Sequence, residues 1–292
     1  MILRILRSFF HHFWPCVQSR TANRIFGHWA KLCFSRTLGT ALTIKTGKDP
    51  HAERRKLTIQ SNMHSLAAPL PLAENLWLLV YPMKIFGADV RRNVTLLRLQ
   101  SGRLIIIHST APFTPQDVTS IRALGEPGWL LEGVLRHDTF AKEGRAAFPG
   151  IPYLAPQGFS EVAGFPTEPI VPAPKEWNGE VLSLEIQGTP EMRDTALLHV
   201  ASRTLILTEL LFNFGDNEPL WTELLLRAAV GSEHSPGMSR PYKSEIKDED
   251  AFRASMDAIL QWEFDRIIVG HGDVIEFDGN AKLRVALAAA GF

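Results

Sequence analysis

From Asn75 onward, short apolar runs alternate with turn-forming residues in a way that predicts strands. Leu76-Trp77-Leu78-Leu79-Val80-Tyr81, Val94 to Leu99 and Leu104 to His108 are rich in branched and aromatic side chains, and Gln100-Ser101-Gly102-Arg103 joins the last two as a hairpin. The expectation is an opening antiparallel meander. Pro115-Gln116-Asp117 starts a helix that runs through Ile121 and Leu124 and stops at Gly125, because proline suits a first turn and glycine an end. Trp129 to Leu135 then predicts a strand, Thr139 to Phe148 a short helix closed by Pro149-Gly150, and Tyr153-Leu154 the start of another strand.

Residues 163–179 are dense in proline and carry an exposed-looking Trp177, so they predict a long loop within one domain rather than a linker. The strand pattern then restarts. Val181 to Ile186, Thr195 to Val200 and Arg203 to Thr208 are strands, the last two joined by the tight turn Ala201-Ser202. Leu220, Trp221, Leu224, Leu225 and Ala228 fall at helical spacing from about Asn217 to Ala229 and read as ordinary core. A second helix, from Asp248 to about Trp262, has an acidic start that suits the helix dipole and an inner face of Phe252, Met256, Ile259 and Leu260. The buried strand Arg266 to Val269, the loop Gly270-His271-Gly272-Asp273 and a helix from about Gly279 to Ala290 complete the chain. Two halves of strands followed by helices, with no sequence repeat between them, suggest two sheets packed face to face with helices outside.

Composition narrows the class. The 292 residues are 45% apolar and 21% charged, the profile of a folded protein. Cys16 and Cys33 both lie near the N-terminus, so the main body has neither a disulfide framework nor a thiolate zinc site. Any metal there must be held by His, Asp or Glu.

A net charge of zero hides an asymmetry. Residues 1–56 hold eleven Lys or Arg against Asp49 and Glu53, which leaves 20 basic and 29 acidic residues for the remainder. A mildly acidic body excludes a nucleic-acid groove, because phosphate binding relies on clustered positive charge. The opening MILRILRSFFHHFWPCVQSR is basic, aromatic and interrupted by Pro15, which fits peripheral membrane contact through residues 1–20 or a targeting segment. Arg4, Arg7, His11 and His12 break every window long enough to span a bilayer, so no transmembrane segment is expected there. The plainer expectation is that residues 1–69 form an extension ahead of a domain at 70–292, with Met63 as the natural beginning and the cytoplasm as the compartment.

Several landmarks resemble the metallo-β-lactamase superfamily, and more closely an uncharacterised branch of it. They are Glu74-Asn75-Leu76-Trp77, the strand ending in His108-Ser109-Thr110, His137-Asp138-Thr139-Phe140, Ser202-Arg203-Thr204 running to Thr208-Glu209, and Val269-Gly270-His271-Gly272-Asp273. The resemblance implies an α/β (α+β) fold, a four-layer αβ/βα sandwich. It also implies a site at which two zinc ions, or iron in some branches, activate water, with most ligands drawn from an HxHxDH motif.

Against that motif, His137 matches the second histidine. Leu135, Thr139 and Phe140 stand at the first histidine, the aspartate and the last histidine, so half of a dinuclear site lacks donors. Glu209 stands where the bridging aspartate belongs and His271 where the final histidine belongs. Where a further histidine is expected, the chain has Glu191-Met192-Arg193-Asp194, and Arg193 is expected to favour an anionic group or to pair with Glu209.

The remaining candidates divide between site and scaffold. His108 ends a strand on the side of the site, although a core histidine bonded to a carbonyl is the commoner case. Asp138 is expected either to line the site or to cap the short helix. His199 sits beside a hairpin turn about 20 Å of strand from Glu209 and is expected to bond locally. His234 lies in a loop and Asp273 in a turn, both read as structural.

The leading reading is therefore a pseudoenzyme with a binding or regulatory role, without a cofactor. Its remnant cleft lies near His137, Asp138, Arg193, Glu209 and His271 and takes a small-molecule or anionic ligand. The alternative is a hydrolase of an ester or thioester with one zinc or iron held by His137, Glu209, His271 and His108. A third reading makes the fold a scaffold tethered to a membrane surface by its extension. The sequence leaves the oligomeric state open.

Overall fold

The computed structural model describes residues 68–85, 88–215, 218–224 and 236–292. A large sheet is built first. Its strands are β1 (Leu70–Ala73), β2 (Leu76–Tyr81), β5 (Arg92–Arg98), β6 (Arg103–Ile107), β7 (Glu126–Leu131) and β8 (Tyr153–Leu154), which lie side by side in that order. β3 (Lys84–Ile85) and β4 (Ala88–Asp89) form a separate small hairpin between β2 and β5. β1, β2, β5 and β6 pair antiparallel, as the meander requires, and β6, β7 and β8 are parallel. Parallel pairing needs crossovers, supplied by helices α1 (Pro115–Leu124) and α2 (Ala141–Ala147). Helix α3 (Phe159–Ala163), absent from the sequence expectation, follows β8.

The second sheet comprises β9 (Val181–Glu185), β10 (Thr195–His199), β11 (Thr204–Leu207) and β12 (Arg266–Val269), in the order β12-β11-β10-β9. Helices α4 (Arg240–Glu245), α5 (Glu249–Leu260) and α6 (Gly279–Ala290) belong to this half. His199 pairs with Thr204, and Arg203 N donates to the Val200 carbonyl at 3.1 Å, closing the expected tight turn at Ala201-Ser202.

Strand alternation sorts the core into layers. Leu76, Leu78, Leu97, Ile105, Ile107, Trp129 and Leu131 of the large sheet meet Val181, Leu197, Ile206 and Ile268 of the small one between the sheets. Their neighbours Leu79, Val94, Leu96, Leu104, Ile106 and Leu130 point outward onto Ile121 of α1, Ala141 of α2 and Phe159 of α3. On the other side Ala196, Leu198, Leu205, Leu207, Ile267 and Val269 pack on Phe252, Met256 and Ile259 of α5 and on Leu283 and Leu287 of α6. Helix, sheet, sheet and helix make the four layers expected from the sequence.

Two local expectations fail. Trp177, read as exposed, is completely buried and meets Trp129 edge-on at 6.1 Å. A 3-10 turn at Lys175–Trp177 folds the proline-rich loop inward, so the loop contributes its tryptophan to the inter-sheet core. Residues 220–224 are helical, but Leu220 (72%), Trp221 (45%) and Leu224 (53%) are exposed rather than core. The remainder of that expected helix, Leu225 and Ala228 included, lies outside the described residues, as do His234 and residues 1–67.

Candidate metal centre

Parallel pairing brings the site together. β11 and β12 run parallel with Leu207 opposite Val269, so the chain leaves both strands at the same end, and Glu209 and His271 follow two residues later. On the large sheet, Ile107 of β6 stands opposite Leu131 of β7, and the chain leaving β7 carries Glu132 and then His137. Ligands of open parallel sheets gather at such carboxyl ends.

Three side chains converge there. Oε1 of Glu209 lies in short contact with His137 Nε2 and 3.2 Å from His271 Nε2, and the two Nε2 atoms are 3.3 Å apart. The rings meet edge-on with centroids 5.1 Å apart. Among the described residues these three form the group able to present one donor atom each within 4.8 Å of one another.

Each member is held from behind. His271 Nδ1 hydrogen-bonds the carbonyl of Arg91, which can only accept, so Nδ1 carries the proton and Nε2 keeps its lone pair for the centre. Arg91 adopts a left-handed backbone (φ 53°), and its guanidinium is tied to Asp273 at 2.8 Å and to Glu218. Phe212 stacks on the His271 ring at 5.8 Å. Asn93 fixes the loop itself, donating from Nδ2 to the carbonyls of Val269 (2.8 Å) and Gly272 (2.9 Å). Gly272 must be glycine, since its φ is +95° and a Cβ would stand 1.9 Å from the Asn213 carbonyl.

Glu209 is placed by Asp194, whose Oδ2 accepts the backbone N–H groups of Glu209 and Leu210, each at 3.0 Å. Burial pushes the Asp194 carboxyl up to about 7. Behind His137, Nδ1 faces Oε1 of the fully buried Glu132 at 3.3 Å.

Charge is distributed accordingly. Burial and Arg92 oppose a proton on His137, but the flanking carboxylates of Glu209 and Glu132 outweigh them and its pKa is raised. Burial works against ionised Glu209 too, yet the two imidazoles hold its pKa well below the carboxylate range. His271 is pushed down, by burial first. The two shifts favour a proton on His137 over one on His271, with the Glu209 carboxylate between them. A divalent cation would stand in for the Nε2 proton of His137, leaving two imidazole nitrogens and a carboxylate oxygen, a donor set that suits zinc or iron. The residues fit a single ion.

The other candidates lie elsewhere. His108 is a core histidine, its Nδ1 3.0 Å from the Asn93 carbonyl and its Nε2 3.1 Å from Thr208 Oγ1. His199 bonds Ser202 Oγ at 2.7 Å beside its hairpin loop, as expected. Arg193 does not pair with Glu209: its Nη1 turns to Gln157 (3.2 Å) and Glu185 (3.5 Å), and the adjacent Asp194 does the work at Glu209. Asp138 is exposed and makes no cap, because Phe140 occupies the N-cap of α2 without a side-chain bond. Thr139 and Phe140 are exposed, and Leu135 packs with the outer core. Asp273, read as a turn residue, ties Arg91 and accepts from Gly215 N at 3.2 Å.

Glu132, Arg91, Asn93 and Asp194 do not stand out as functional residues in the sequence. A lone carboxylate at the end of the apolar run Trp129-Leu130-Leu131 was the available signal for Glu132, since a buried acid requires partners.

No family model matches the sequence, and no curated protein matches it. Solved structures do. The chain is similar to the DIM-1 metallo-β-lactamase (15% identity over 76% of this chain and 97% of that one, TM-score 0.52). It is similar to a metallo-β-lactamase from Pontibacter korlensis (10% identity, 76% and 98% covered, TM-score 0.51). A fragment of a putative diflavin flavoprotein from Nostoc sp. PCC 7120 is also similar (12% identity, 76% and 94% covered, TM-score 0.53).

Proposed function

We propose that this chain, whose fold is that of the metallo-β-lactamases, is a single-metal hydrolase of an ester or thioester, acting in the cytoplasm. One observation carries the reading: the Nε2 atoms of His137 and His271 and Oε1 of Glu209 converge, with hydrogen bonds fixing His271 and Glu209 from behind and the Glu132 carboxylate 3.3 Å behind His137. A divalent ion, zinc or iron, would be held by these three, and three protein donors with an open position are the pattern of catalytic zinc, which lowers the pKa of bound water to about 7. Around it, the chain supplies orientation. Asp194 fixes the turn bearing Glu209, the Arg91 carbonyl sets the tautomer of His271, and Phe212 covers the His271 ring.

A second reading, a binding protein without turnover, is favoured by the absence of any donor at Leu135 and Phe140 and of a carboxylate at Thr139. Metal analysis of protein purified without a histidine tag, together with assay of p-nitrophenyl acetate and an acyl thioester, separates the two. Stoichiometric zinc or iron and hydrolysis, both lost in His271→Ala, are expected. Metal without turnover, or no metal uptake at all, would overturn the hydrolase reading and favour the binding role.

A further inference from the structure

Behind His137 lies a chain of buried polar groups that reaches away from the centre. Glu132 is completely buried, and its two oxygens are used separately. Oε1 accepts the Gly133 N–H at 3.1 Å and faces His137 Nδ1 at 3.3 Å. Oε2 accepts the hydroxyl proton of Thr110 at 2.7 Å. That hydroxyl in turn accepts from Arg92 Nη1, which stands 3.8 Å from the same carboxylate oxygen. Thr110 and Arg92 are themselves buried. An isolated ionised carboxylate at such depth is costly unless it is paired and hydrogen-bonded.

Neutralising Arg92 alone would not explain the arrangement, because the oxygen nearest the arginine is Oε2, whereas Oε1 is turned toward the imidazole. Histidines that bind metal through Nε2 almost always anchor their other nitrogen on a carboxylate or carbonyl, which selects the tautomer and raises ligand basicity. At His271 a backbone carbonyl does this. At His137 the Glu132 carboxylate stands at the corresponding nitrogen, 3.3 Å away.

We infer that Glu132 is a positioning residue for the centre: held by Thr110 and Arg92, it orients His137 and keeps the Nδ1 proton, so that Nε2 is presented to a divalent cation. The inference rests on the metal-site reading above. Its residues come from three separate strand ends: Arg92 from the start of β5, Thr110 from the segment after β6 and Glu132 from that after β7. The relay therefore records whether the large sheet is in register at the site.

Cobalt(II) is the probe, since its visible absorption reports ligand geometry, and the full chain is titrated as wild type, Glu132→Gln and Thr110→Val. Glu132→Gln keeps the volume and removes the charge, and Thr110→Val removes the linking hydroxyl. We expect Glu132→Gln to weaken cobalt binding by about 10–100-fold and to shift the absorption bands, with a smaller change in the same direction for Thr110→Val. Thr110→Val decides the matter if the glutamine variant does not fold. Variants that fold, bind with wild-type affinity and keep the wild-type spectrum overturn the relay but leave the site reading intact, as does a lowered Tm without a change in bands or affinity. Wild-type protein that takes up no cobalt overturns the site reading, and the relay with it.

Discussion

At the scale of single residues, the molecule separates histidines by what stands behind them. His137 and His271 have a carboxylate or carbonyl at Nδ1 and open toward Glu209, whereas both ring nitrogens of His108 are used by Asn93 and Thr208. Burial holds the His108 pKa at about 4, below its ordinary 6.5. The unfolded chain therefore takes up this proton first, and the contribution of neutral His108 to stability is present above pH 6.5 and lost as pH falls toward 4. His108→Gln removes that dependence. Urea denaturation is expected to show the wild-type advantage over the variant shrinking between pH 7 and pH 4, by on the order of 3 kcal/mol at most; a pH-independent difference would refute the assignment.

His271 and Glu209 were legible because glycine-flanked and strand-terminal positions stand out in the sequence. Glu132 and Asp194 were not. Their roles depend on which atoms the fold brings behind the donors, and no spacing along the chain encodes that.

At the scale of elements, period and capping residues transmitted most of the architecture. α6 spans Gly279–Ala290 as expected. α1 spans Pro115–Leu124, with Thr114 and Asp117 exchanging side-chain and backbone bonds at its start. The misreadings share a cause: sequence pattern reports local preference, while burial is decided by distant partners. Proline density marked 163–179 correctly as irregular, yet the irregular segment carries Trp177 into the space beside Trp129. Helical spacing placed Leu220, Trp221 and Leu224 on one stripe without saying that a core would meet it. Trp177→Ala should accordingly behave as a core truncation, costing about 3–5 kcal/mol in urea denaturation. A cost below 1 kcal/mol would mean that the side chain is not packed between the sheets.

At the scale of the whole molecule, the centre joins the two sheets: His137 follows a strand of the large sheet, while Glu209 and His271 follow strands of the small one. Asn93 of β5 reinforces the junction through the carbonyls of Val269 and Gly272. A ligand that binds only this assembled arrangement stabilises the folded state by mass action. Zinc at 100 times its Kd is expected to add about 2.7 kcal/mol and raise Tm by several degrees, an effect removed by chelation and absent in Glu209→Ala. An unchanged wild-type Tm would count against a preformed site.

All strands of the large sheet precede residue 155 and all strands of the small sheet follow residue 180, so the backbone passes between them once. Severing that passage between Ile170 and Trp177 would yield two polypeptides, each owning an intact sheet and an incomplete share of the donors. Mixed together, they amount to a complementation pair whose reunion is favoured by the apolar faces and registered by the recovery of cation uptake.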